Sequence, residues 1–395
     1  MIRLLQISDL HPNSKATFAG KVWNDPATGK NQSLTDFRKS LAFVHQVATS
    51  PKTKVDAVVI PGDVFDSVSP TMDEIQVVLE WIEAMSDVVP ILVIPGNHDM
   101  GASGNMATAL EPLKFRPNVF VMERPESRLL NFGEMAVRFF ALPYPSKGRL
   151  LSNIEHQGKS TEELIALANQ GLAAILRSFK LEFEPGVANV LLAHGSVMNA
   201  KVGEQPRSIA NDIFLPLDEL EAFTFVAIGH IHASQAVAKN VVYAGSIMRN
   251  SFGEESEYKG FNLIEINDPE EHAKVTFVEN PHARKYATLD LSDLEFYHHN
   301  GETLDPEIVW RLKASMTPQD YQEKKAFIEQ MAGTVPFFQI AVDLLEEDRA
   351  RDASMSQMMS MEEALVRVLE HASDTERPVL VERHRGLVAE VEHAR

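Results

Sequence analysis

Short apolar runs, each closed by a polar loop, recur along the first two thirds of the chain: Ile2 to Ile7, Val55 to Ile60, Val88 to Ile94, Val187 to Ala193, Phe223 to Ile228 and Val241 to Ala244. Near-continuous apolar runs of this length predict buried strands. Between them the period lengthens to that of helices, as at Leu34, Phe37, Leu41 and Val44, and again at Ile75, Val78, Leu79, Ile82 and Met85. Thr71 to Glu74 and Ser160 to Glu163 have the form of capping boxes that open helices. Strands alternating with helices predict an α/β architecture with buried sheets over residues 1–283.

From about Arg284 the character changes. A strand over Tyr286 to Leu291, a loop, a strand over Ile308 to Ala314, a helix from Thr317-Pro318 to Met331 and a strand over Phe337 to Leu345 form a small α+β module, 284–346. The acidic, aperiodic stretch 347–359 reads as a linker. In 360–395, Ser360 with Glu363 opens an amphipathic helix through Met361, Leu365, Val368 and Leu369, and a second stripe follows at Leu380, Leu387, Val388 and Val391. This helix pair suits the docking of a partner; folding back on its own domain fits the pattern equally well.

The polar residues that close the strands carry the chemistry. The first run ends in Asp9-Leu10-His11, the second in Gly62-Asp63, the third in Gly96-Asn97-His98-Asp99; later runs deliver His194-Gly195 and Gly229-His230-Ile231-His232. Ligands of α/β sheets bind in the crevice beyond the C-terminal ends of the strands, so these side chains converge on one cleft. Asp9, His11, Asp63 and His232 form one oxygen and nitrogen coordination sphere, and Asp63, Asn97, His194 and His230 a second, with Asp63 shared. Two divalent ions about 3.5 to 4 Å apart clamp a phosphoryl centre and activate water at neutral pH. His98 is left without a metal and is the candidate to protonate a leaving oxygen, with Asp99 as its orienting partner and Asp66 as a further candidate nearby.

Composition narrows this picture. The 395 residues include no cysteine, so any metal must sit on His, Asp, Glu or Asn, and a reducing, cytoplasmic setting fits. No stretch has the length of a membrane span, so no membrane partner is expected. The formal charge of −19 speaks against a broadly basic nucleic-acid surface. Tyr286 to Arg395 holds 22 acids against 11 bases, which leaves −8 for the first 285 residues.

The ordered motif set resembles the calcineurin-like metallophosphoesterases from Met1 to about Asn280, which implies an α/β/β/α sandwich as the catalytic domain, 1–283. Protein Ser/Thr phosphatases of that superfamily carry Asp-Arg-Gly after Gly-Asp and Glu after Gly-Asn-His; here stand Asp66-Ser67-Val68 and Asp99. Gly62 to Asp66, Tyr243 to Ser246, Ser251 to Glu254 and Lys259 to Ile266 are similar to the SbcD-type nuclease subunits. That resemblance implies manganese as the usual metal, exonuclease and endonuclease activity on DNA, a capping domain over 284–346, an SbcC-type coiled-coil ATPase docked on the terminal helices, and a pair of nuclease subunits. One segment departs from the pattern: Pro12 to Gln32 is a Gly-, Pro- and Asn-rich insertion with Lys15, Lys21 and Lys30 against Asp25. It is expected either to overlie the cleft and touch DNA phosphate or to be a surface loop.

The leading expectation is therefore a metal-dependent DNA nuclease. A phosphodiesterase for small molecules or nucleotides, favoured by the acidity, and an assembly scaffold without catalysis are the alternatives. Seven costly polar ligands gathered at strand ends argue against the scaffold.

Overall fold

In the computed structural model the apolar runs form two six-stranded sheets. The first has the order Lys274–Glu279, Gly260–Ile266, Ile2–Gln6, Ala57–Pro61, Ile91–Ile94, Val119–Val121, with the last four strands parallel. The second runs Gln235–Ala238, Val241–Tyr243, Phe225–Gly229, Val187–His194, Met135–Leu142, Glu126–Phe132, with its four central strands parallel. The structure describes residues 1–15, 17–18, 21–24, 29–101, 108–145, 159–198, 200–201, 213–345, 369, 373 and 377–384. Two compact units divide the chain, Met1–Ala314 with Phe327–Ala341, and Ser315–Ala326 with Val342–Arg395.

Within the first unit the sheets lie face to face over a shared core that includes Leu4, Val59, Leu92, Phe139, Val190, Leu192 and Phe225. Alternate residues of the same strands point outward under helices. Leu5, Val58 and Ile60 pack on Phe37, Val44, Val78 and Ile82 of the helices Gln32–Thr49 and Met72–Ser86. Leu191, Val226 and Ile228 pack on Leu172, Leu176 and Phe179 of the helix Thr161–Lys180. The result is the expected α/β/β/α layering, and the near-continuous apolar runs are explained because both faces of each sheet are covered.

Thr71 and Ser160 both close capping boxes, with Glu74 and Glu163. Three elements differ from the expectation. Val88 and Val89 belong to the turn that ends the helix Met72–Ser86, both N–H groups reaching the Met85 carbonyl, so the strand begins only at Ile91. The hairpin Glu126–Phe132 with Met135–Leu142 was not expected; its outer strand is half exposed and lacks an apolar run. The segment read as a loop after Leu291 is the helix Leu291–His299, started by a capping box between Asp290 and Asp293.

The C-terminal strands Tyr286–Leu289, Val309–Met316 and Phe338–Leu344 form one sheet in that order. Thr317 caps the helix Pro318–Ala332 by accepting from the Asp320 N–H at 3.1 Å. Leu369 and residues 377–384 are helical. The capping box at Ser360, the stretch 347–359 and most of the expected helix pair lie outside the described residues.

The insertion after His11 is tied down at both ends. The Ser14 N–H and hydroxyl donate to Glu74 Oε1 at 2.7 and 2.8 Å, and the Asn31 amide donates to the Ser14 carbonyl at 2.8 Å. Trp23 is buried with Val309 and Phe337. Lys15 and Lys30 are exposed, while Asp25 and the side chain of Lys21 lie outside what is described.

Candidate metal centre

The strand ends of the two sheets meet at one cluster. Carboxylate and imidazole atoms of Asp9, His11 and His232 lie within 4.8 Å of one another, as do those of Asp63, His194 and His230. Asp63 sits between the groups, its Oδ2 3.5 Å from His11 Nε2 and 3.3 Å from His194 Nε2. Asn97 Oδ1 lies 3.1 Å from His194 Nε2 and 3.0 Å from His230 Nδ1. All seven residues expected to ligate metal are thus brought together, although His232 follows Asp9 by more than two hundred positions.

Holding them there strains the backbone. Among the described residues the non-glycine positions with positive φ are Asp9 (51°), His11 (42°), Asp63 (50°), His230 (105°) and Asn118 (57°), and the first four are expected ligands. Such conformations cost on the order of 1–3 kcal/mol each and persist where the surroundings over-determine them. Glycine is required beside them less for turning than for close approach: a Cβ on Gly62 would stand 2.2 Å from His194 Nδ1, and one on Gly96 2.2 Å from Asp63 Oδ1.

Hydrogen bonds fix the imidazoles. His194 donates from Nδ1 to the Pro61 carbonyl at 2.8 Å, which turns Nε2 toward Asp63 and Asn97. His232 donates from Nδ1 to Glu254 Oε1 at 2.8 Å, leaving Nε2 as its ligand atom. Glu254 in turn is held by the buried Lys259 at 2.9 Å, and Lys259 also reaches Glu257 at 2.7 Å. Burial would raise the Glu254 carboxyl, but His232 and Lys259 bring it down to about 2. Sequence reasoning had no role for Glu254 or Lys259. Their segments were noted only for their resemblance, and neither carries a ligand motif that marks a supporting residue.

His11 differs from the rest. It is buried, and neither ring nitrogen makes a hydrogen bond; the nearest carboxylate oxygens, of Asp63 and Asp66, are both 3.5 Å away. A buried imidazole without partners is costly, and a cation resolves the cost directly. The electrostatics agree. Burial alone would lower the His194 imidazole, yet the Asp63 and Asp9 carboxylates push it up to about 9, and His11 is likewise raised by Asp66, Asp63 and Asp9. Against its own burial, Asp63 is held well below the usual carboxylate range by His194 and His11. The cluster attracts positive charge, and its oxygen and nitrogen donors suit divalent cations.

His98 stands at the edge of this cluster with its side chain 43% exposed, donating from Nδ1 to the Asp66 carbonyl at 2.8 Å. Its ring is 4.8 Å from that of His11. Asp99 does not orient it. That carboxylate is fully buried and accepts from the N–H groups of Val64, Phe65 and Gly96 at 3.2, 2.9 and 2.9 Å, so it ties the Asp63 loop to the Asn97 loop. Burial, and next the Asp63 charge, push Asp99 up to about 6 against those three donors. The tight turn directs side chain 98 outward and side chain 99 inward. Asp66, named only as a nearby candidate from the sequence, is the residue that positions His98.

The cluster opens into a cleft of about 730 Å³ whose wall includes Phe252, Glu254, Glu255, Arg311 and Lys313. Among the described residues no helix is long and apolar enough to cross a membrane.

Over 257 residues, 63% of this chain and 64% of the relative, the sequence is 24% identical to the SbcD subunit of the nuclease SbcCD from Staphylococcus epidermidis (strain ATCC 12228 / FDA PCI 1200). The chain therefore spans less than two thirds of the length of that relative. Among solved structures, the sulfate thiohydrolase SoxB of Thermus thermophilus, in complex with glycerol, aligns with a TM-score of 0.38 and 13% identity, covering 70% of this chain and 56% of that one. Residues 2–234, more than half of the chain, match the calcineurin-like phosphoesterase family, and the chain belongs to it.

Proposed function

We propose that the protein is a metal-dependent phosphodiesterase that cuts DNA, with two divalent cations shared across Asp63. The observation that carries this reading is the position of the Asp63 carboxylate, 3.5 Å from His11 and 3.3 Å from His194. Asp9, His11, Asp63 and His232 would hold one ion, and Asp63, Asn97, His194 and His230 the other. When bound, such a pair activates water and neutralises charge on a phosphoryl group.

The chain's own residues do the rest. Glu254 and the Pro61 carbonyl fix which nitrogen His232 and His194 present. Asp99 locks two ligand loops together through backbone N–H groups. His98, whose Nδ1–H is held by the Asp66 carbonyl, would in its imidazolium form give the Nε2 proton to the leaving oxygen of a cut strand. Arg311 and Lys313 supply positive charge to one wall of the cleft, where a phosphate backbone would lie.

DNA is favoured over small diesters by the similarity to a nuclease subunit. The same relative's name, a subunit of SbcCD, supports a further SbcCD subunit as partner. To this reading we add, from the sequence resemblance alone, an SbcC-type ATPase on the C-terminal segment 360–395, manganese as the metal, a cytoplasmic setting and a homodimer of nuclease subunits. In this reading 1–283 is the catalytic domain, 284–346 the capping domain and 347–359 the linker. The glutamates at 255 and 257 on the cleft wall are what favours the second reading, a phosphodiesterase for less charged small substrates.

Cleavage rates on duplex and single-stranded DNA and on a small aryl phosphodiester, each with manganese, separate the two. Efficient turnover of the aryl diester with no cleavage of any DNA would remove the nuclease reading.

A further inference from the structure

Beside the metal cleft lies a second cavity of about 500 Å³ that shares seven lining residues with it, among them His11, Asp66, Asn250, Phe252 and Arg311. Asn13 and Trp23 line it from the side of the insertion, and Tyr286, Arg311 and Gln339 from the C-terminal strands. Three of its lining residues, Trp23, Phe252 and Tyr286, are aromatic, and Asn250 and Gln339 add side-chain amides. The shape of this lining is not incidental. Phe252 and Tyr286 meet edge to face at 4.9 Å, and the Arg311 guanidinium lies 4.3 Å over the Phe252 ring. Arg311 is fixed there by Thr288 Oγ1, which accepts from Nε and Nη2 at 3.2 and 2.8 Å. Its Nη1 has no acceptor among the described residues.

Flat aromatic and guanidinium surfaces with amide groups in the same lining match one ligand chemistry well: a heteroaromatic ring whose faces stack and whose edge forms hydrogen bonds. The charged end of such a ligand would lie toward His11 and Asp66, where the two cavities join. We infer that this side cavity receives the base of one unpaired nucleotide in the strand being cut, next to the phosphate at the metal cluster. The inference rests on the nuclease reading above and deepens it. A base inside this cavity cannot remain paired in a duplex, so cutting should favour a frayed end, a loop or a single strand. It also gives the insertion a purpose, because Trp23, which anchors it, is one wall of the cavity.

The test walks a single abasic residue along a single-stranded oligonucleotide. With the manganese-loaded full chain, kcat/KM should fall about tenfold when the abasic residue sits at one position beside the cut, and hardly elsewhere. Binding of the same oligonucleotides in EDTA, read by fluorescence anisotropy, should weaken at that same position. Phe252→Leu should erase the difference between intact and abasic strands; if that variant does not fold, the series on the wild-type chain decides alone. Equal cleavage and equal binding at every position would overturn the base site while leaving the nuclease reading intact. Turnover of an aryl diester without cleavage of any oligonucleotide would overturn both.

Discussion

The cleft has two kinds of wall. On the strand ends, Asp9, His11, Asp63 and His230 stand in left-handed backbone, and the buried His11 has no hydrogen-bond partner. On the stretch that carries Glu254 and Lys259, no residue has a positive φ outside glycine, and the buried Lys259 ammonium is met by two carboxylates, a hydroxyl and a carbonyl. The first wall is incomplete in itself and gains from an added cation; the second is already balanced. Strain and orphaned donors therefore mark where a ligand belongs, whereas matched buried charge marks what holds the ligand's partners in place.

Substitutions sharpen this contrast. Asp63→Ala on the strand-end wall should reduce manganese-dependent phosphodiester cleavage by at least about a thousandfold, since both cation positions lose a ligand. His98→Ala should lower kcat by about a hundredfold with metal content unchanged, because a proton donor is lost and a ligand is not; full turnover would remove His98 from the chemistry. Glu254→Gln on the balanced wall should weaken metal affinity about tenfold through the misorientation of His232. An effect as large as that of Asp63→Ala would mean that Glu254 is itself a ligand. Ser14→Ala should lower thermal stability by about 1 kcal/mol, as hydroxyl bonds to Glu74 and Thr71 are lost, and leave kcat alone.

How much of this was legible beforehand follows the same division. The strand-end residues could be read because each ends a buried apolar run, so that sequence periodicity already implies where the side chain emerges. Glu254 and Lys259 could not, because they act through hydrogen bonds to a residue more than twenty positions away, and Glu254 sits in a helical turn of three residues, too short to set a period. Asp99 was readable as part of a motif but not in its role, since adjacent side chains in a tight turn face opposite ways and nothing in Asn-His-Asp says which one is buried. The helix Leu291–His299 escaped for a simpler reason: Leu294 is its single buried residue, too little to set a period. Trp23 looked like part of a polar insertion, and its burial depends on Val309 and Phe337, about three hundred positions away.

The shared carboxylate is the centre of the account, and titrating manganese into the metal-free protein tests it most directly. Two equivalents should bind to the wild-type chain, and Asp63→Ala should lose high-affinity binding at both positions. Two equivalents bound with unchanged affinity by Asp63→Ala would contradict it.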